Sequence, residues 1–230
     1  MSETLGKIEK PEASQFKIGR KLFFVPLIFK SIETDPSLSE LASRYWGEVE
    51  NQIDGLESKL SEVKRIYHEM LVSDDDSRHL SELSSGSEKL VGILKNRGGT
   101  LTYIEDPEVL GEFLDWGRCA SIGLRSPAVF EKVYKSYEEA DHKRLELLAK
   151  KIDETLGADE SSVLFMREDH RLQFPSDIQV FYVAPPSLDA IQRILRDKQE
   201  ERRRRAEKGH EDENESDHEH SEEPPKSGND

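Results

Sequence analysis

The apolar residues of this chain fall into short clustered blocks and into longer stripes stepped by three and four. The blocks at residues 21–29, 63–72, 100–106, 161–169 and 177–186 are rich in branched and aromatic side chains and predict strands. Pro26, inside the first block, lacks a ladder donor and predicts an edge or bulge position. The second block also fits a continuation of the helix before it, but Val63, Ile66, Tyr67 and Val72 favour a strand that completes a βαβ unit.

The stripes predict helices. The clearest places Leu38, Leu41, Tyr45, Val49, Ile53, Leu56 and Leu60 on one face, with Asp35 or Ser37 as its cap. A second stripe, Leu80, Leu83, Leu90, Val91 and Leu94, ends at Gly98-Gly99 and is interrupted by the polar run at residues 84–87. Pro107 and Pro127 each open a further helix, since proline is tolerated in a first turn. The Pro127 helix is long and half-polar, carrying Tyr134, Tyr137, Leu145, Leu148, Ile152 and Leu156 up to a stop at Gly157. A last helix begins at Ser187, and its apolar face, Leu188, Ile191 and Leu195, fades after Leu195.

Strands alternating with helices predict an α/β fold: a three-layer sandwich with a mostly parallel, mixed sheet of about five strands and helices on both faces. The last two strands, separated by a short polar link, are expected to pair antiparallel. The expected organisation is a flexible arm over residues 1–18, one α/β domain over 19–195, a charged helical extension over 196–208 and a disordered acidic, histidine-bearing tail over 209–230.

Charge changes that picture mainly at the end of the chain. Residues 209–230 hold nine acids and one lysine, a net of −8 out of the chain's −15. The remainder is only mildly acidic, which argues against a whole surface devoted to nucleic acid or anionic membrane. Cys119 is the only cysteine, so no intramolecular disulfide forms; its helical, apolar surroundings predict a buried, inert thiol. The longest apolar run, residues 22–29, is too short to span a bilayer, and a cytoplasmic protein with no membrane partner is the expectation.

No phosphate-binding glycine loop, dinucleotide fingerprint, nucleophile elbow or His-Glu-x-x-His motif is present. The first expectation is therefore a non-enzymatic protein without a cofactor that binds a macromolecular partner, foremost a protein, through its charged last helix and tail. Arg202, Arg203, Arg204 and Arg205 are the partner-binding residues in that reading. Seven bases against four acids over residues 196–208 leave an excess of only +3, so a nucleic-acid or ribosome-associated role is a weaker, salt-sensitive alternative.

A different alternative comes from strand ends. Ligands of open α/β sheets bind outside the carboxyl ends of the strands, and two of the proposed strands end in His68-Glu69 and Glu168-Asp169-His170. If these converge, His68, Glu69, Asp169 and His170 supply nitrogen and oxygen ligands for a divalent metal ion, Glu168 acts as general base and Arg171 steadies developing negative charge. That set describes a metal-dependent hydrolase of a phosphoester-like substrate. Glu105-Asp106, directly before Pro107, reads instead as a helix cap. The sequence leaves oligomeric state and strand order open.

Overall fold

A computed structural model describes residues 18–219, with side chains through residue 204. Strands β1 (Arg20–Pro26), β2 (Val63–His68), β3 (Thr100–Leu101), β4 (Ser161–Met166) and β5 (Ile178–Tyr182) form one sheet in the order β3-β2-β4-β1-β5. Every pairing is parallel. The central strands β1 and β4 are buried along almost their whole length, which is why both read as continuous apolar runs.

Two features of the sheet depart from what the sequence predicts. β4 and β5 do not pair; they flank β1. The link between them crosses β1 as part of the core, with Leu172 and Phe174 packed against Leu22, Phe24 and Leu164. Those two apolar residues in an otherwise polar link distinguish a crossover from a hairpin loop. Pro26 stands in a central strand, tolerated because it is the last residue of β1, opposite Met166. Its carbonyl accepts from the Tyr45 hydroxyl at 2.5 Å.

Parity along the strands assigns the layers. Phe165 and His68 face helices α2 (Ser39–Lys59) and α5 (Ser85–Asn96): the Phe165 ring meets Trp46 at 6.3 Å and His68 meets Ser87. Leu22, Phe24, Tyr67, Leu164 and Met166 face the other way, against Leu145, Leu148 and Ile152 of α7 (Pro127–Thr155). Helix α6 (Pro107–Ser121) packs on α7 through Phe113, whose ring lies 5.1 Å from that of Tyr137. The sheet thus carries helices on both faces.

The polar run at residues 84–87 does break its helix. Short helices α1 (Lys30–Glu33), α3 (Asp74–Arg78) and α4 (Leu80–Leu83) complete the set, and Ser84 caps α5 by accepting from the Ser87 backbone N–H. Gly98 closes α5 at φ 97°, a left-handed value suited to glycine. Helix α2 starts at Ser39 with no side-chain cap; Asp35 instead accepts from the backbone and hydroxyl of Ser37 in the turn before it.

The chain divides at Pro185 and Pro186 into two compact units. The second contains α8 (Pro186–Glu219), 34 residues long, which includes the charged stretch from residue 196 onward. Residues 1–17 and 220–230, covering most of the expected arm and the end of the expected tail, lie outside the described residues. No helix among the described residues is long and apolar enough to cross a membrane.

Candidate functional site at the carboxyl edge of the sheet

Because the sheet is wholly parallel, the residues that follow β2 and β4 emerge on one edge. Glu69 and Arg167 are the first of these, and with Glu105 and Arg144 they form a buried charge cluster. Arg144 of α7 reaches Glu69 Oε2 from Nη2 at 3.3 Å and Glu105 Oε2 from Nε at 3.0 Å, and its Nη2 also contacts Glu105 Oε1. The Arg167 backbone N–H donates to Glu69 Oε1 at 2.5 Å, while its guanidinium meets Asp141 at 3.2 Å and lies 3.9 Å from both Glu69 and Asp169. Both guanidinium groups stand over the Phe113 ring, at 4.9 and 4.8 Å from its centroid, so α6 helps fix the cations. Burial pushes the Glu69 carboxyl above its ordinary pKa, against the pull of Arg144 and Arg167.

Met70 follows at φ 69°, in the left-handed region that a non-glycine residue enters only when its surroundings hold it there. Its N–H donates to Glu105 Oε1 at 3.0 Å. The chain leaving β2 is thereby bent onto the cluster.

A cavity of about 570 Å³ opens next to this cluster, between α7 and the segment that leaves β4. Its α7 wall carries Tyr134, Tyr137, Glu138 and Asp141; its other wall carries Arg167, Asp169, His170 and Arg171. The His170 ring packs 4.7 Å from Phe24 and 6.1 Å from Phe174, and its Nδ1 accepts from the Leu172 N–H at 3.0 Å. Burial, and then the charge of Arg167, lower its pKa, so at neutral pH His170 is uncharged with its proton on Nε2. Arg171 makes no ion pair among the described residues.

Of the residues expected to share a metal, the structure brings Asp169 and His170 to this cavity and places Glu69 behind Arg167. His68 goes elsewhere. Its ring stacks on Phe165 on the α2/α5 face, with Nδ1 donating to the Glu69 carbonyl at 2.6 Å and Nε2 accepting from the Ser87 hydroxyl at 3.0 Å. His170 touches Phe24, on the α7 face, so the sheet separates the two imidazoles and the four ligands do not enclose one ion. Among the described residues no three His, Cys, Asp or Glu side chains are grouped to hold a metal. Glu168 accepts from the Tyr182 hydroxyl.

Asp106 is the cap of α6, accepting from the backbone of Glu108 and Val109 at 3.0 Å each. Glu105 is not a cap but half of the buried ion pair. Cys119 is exposed, contrary to the expectation of a buried thiol: it sits on the side of α6 that faces away from α7 and the small core around Phe113. Arg144 and Arg167 escaped the sequence reading, although a signal existed for the first. Arg144 lies one turn before Leu148 and seven residues after Tyr137, on the apolar stripe of α7, where a lone cation demands buried carboxylates.

A second cavity, of about 460 Å³, lies on the opposite face between α1, α2 and α5. The N-terminus of α5 points at it but is already occupied. Glu33 accepts there from the Ser84 hydroxyl, the backbone N–H groups of Ser85 and Gly86, and Trp46 Nε1, all at 2.8–2.9 Å.

Fold and site together define a parallel α/β protein with a charge-lined cavity at the carboxyl edge of its sheet. Compared with protein-family models, curated proteins and solved structures, the chain matches none.

Proposed function

We propose that the protein binds a macromolecular partner, foremost another protein, through the charged helix α8. The observation that carries this reading is the helix itself: it runs to Glu219, while its last stripe residue is Leu195. Arg202, Arg203 and Arg204 are exposed along it, with Arg204 in an i,i+4 contact to Glu200 at 3.7 Å. The sequence of this helix carries no apolar stripe beyond Leu195, and a surface of mixed charge favours specificity and steering over nonspecific adhesion. The test is capture from source cells by the full chain beside a variant with Arg202, Arg203, Arg204 and Arg205 all changed to Glu. A protein retained by the native chain and lost by the variant supports the reading, and equal retention overturns it. Binding to random-sequence RNA or DNA that collapses with moderate salt would move the function to the nucleic-acid alternative.

A second reading has its own observation: Arg171, without an ion pair among the described residues, lines the carboxyl-edge cavity beside Arg167 and the neutral His170. Arg171 is the group for an anionic ligand of the phosphoester class, in a cavity whose lining also carries Glu138, Asp141, Glu146 and Asp169, and such cavities are the usual ligand sites of parallel sheets. Titration calorimetry with pyrophosphate and phenyl phosphate tests it. Binding abolished by Arg171→Ala supports the reading; no heat with either compound removes it.

A further inference from the structure

The apolar stripe of α7 outruns the sheet that it covers. From Ile152 through Leu148 and Leu145 to Ala140 it is buried, but the same face continues into Tyr134 and Phe130, which are 45% and 47% exposed. Their rings stack on each other at 5.9 Å and 16°, for want of a core to enter. Val129 and Ile122, at 46% and 71%, extend the patch onto the α6–α7 turn. Beside it lies a groove of about 280 Å³ between α6 and α7, floored by Phe113, Leu114, Gly117 and Tyr137. Four of the seven large apolar side chains that the described residues expose are therefore gathered on this one hairpin end.

We propose that this end of the α6–α7 hairpin is the interface of a two-fold homodimer, its occupant a second copy of the chain. Charge selects that occupant. The chain carries −15, yet residues 113–139 hold four acids and four bases, so the patch is neutral. Charges beyond a Debye length of about 8 Å are largely screened at physiological salt, so local charge governs close approach, and two acidic copies meet here without local net repulsion. A neutral patch gives no attraction to nucleic acid or to an anionic membrane. The patch is also self-complementary, as a two-fold interface must be. Glu131 and Lys135 lie one turn apart on the same flank of α7, and antiparallel pairing of two such helices about Val133 sets each against its opposite on the other copy. Phe130 and Tyr134 then become the buried aromatic anchors.

Sedimentation velocity of the full chain over a hundredfold concentration range tests this. The native chain is expected to shift from monomer to dimer, and Phe130→Lys to weaken the association at least about tenfold, as expected for an aromatic anchor. Phe130 is exposed, so an unchanged far-ultraviolet spectrum, and a melting curve unchanged at a concentration where both chains are monomeric, show that the variant folds. Val180→Lys, at an exposed apolar residue on the edge strand β5, is expected to leave association unchanged. A native chain that stays monomeric throughout overturns the proposal, as does a dimer that Val180→Lys dissociates and Phe130→Lys does not.

Discussion

Arg144 and Glu105 form an ion pair in which both side chains are only 1% exposed, and one nitrogen of the guanidinium, Nη1, has no hydrogen-bond partner among the described residues. Glu69 shares the cation, so two buried carboxylates depend on it. Removing one partner of a buried pair costs about 3–5 kcal/mol, because the remaining charge stays desolvated and uncompensated. Arg144→Met is expected to lose that much stability in urea unfolding at neutral pH. Arg144→Lys is expected to recover little of it, since a single ammonium cannot reproduce the fork that serves both carboxylates. A loss below about 1 kcal/mol for Arg144→Met would show that the cluster relaxes without its cation.

His68 makes the fold sensitive to acid. Burial lowers its pKa from the ordinary 6.5 to about 4, with the Glu69 carbonyl opposing. Between those values the unfolded chain takes up a proton that the folded chain refuses, so this residue's contribution is complete above pH 6.5 and is lost as pH falls toward 4. The loss is on the order of 3 kcal/mol. Glu69 acts with the opposite sign: its raised carboxyl protonates more readily in the folded state and favours folding as pH falls. Global stability mixes the two, so the direct measurement is the His68 ring titration by NMR, expected near pH 4. A midpoint near 6.5 would contradict the buried, neutral ring.

Most of the sheet was legible in the sequence because buried parallel strands write themselves as apolar runs, as in RKLFFVP and SSVLFM, while VKRIYH shows only Val63, Ile66 and Tyr67 around an exposed Lys64. The cap at Asp106 and the break at Ser84 followed from local hydrogen-bonding chemistry, which needs no tertiary context. What the sequence hid was pairing between distant segments. Glu105 looked like a companion of Asp106 because nothing local reveals a cation arriving from a helix 39 residues away. His68 and His170 looked alike as residues at strand ends, yet His68 is the last residue of β2, where alternation turns it with Phe165 toward α2 and α5, whereas His170 lies four residues past β4 in the segment that crosses to the α7 face. Strand order, equally nonlocal, decided that the last two strands embrace β1.

Met70 is held at φ 69° by its N–H bond to Glu105 and by packing near Phe113. A β-branched side chain tolerates that backbone worst, so Met70→Val is expected to cost about 1–3 kcal/mol. Met70→Gly removes the strain but also the packed side chain, and is expected to fall nearer to the native stability. Equal destabilisation by the two, measured in parallel urea titrations, would mean that packing rather than backbone conformation governs the position.

Gly86 and Gly92 share helix α5 but are expected to respond to alanine in opposite directions. A Cβ on Gly86 falls 2.0 Å from Trp46 Cδ1 and 2.1 Å from Nε1, so the indole must leave its place. Its hydrogen bond to Glu33 at 2.9 Å goes with it, and overpacking of this kind costs about 1–3 kcal/mol. A Cβ on Gly92 meets nothing within 4 Å, and replacing a glycine in a helix by alanine stabilises by about 1 kcal/mol. The chain has only two tryptophans, so a Trp116→Phe background isolates the emission of Trp46. Gly86→Ala is expected to lower the melting temperature and shift that emission, while Gly92→Ala raises the melting temperature and leaves the emission unchanged. An unshifted emission in Gly86→Ala would show that the indole is not seated against the start of α5.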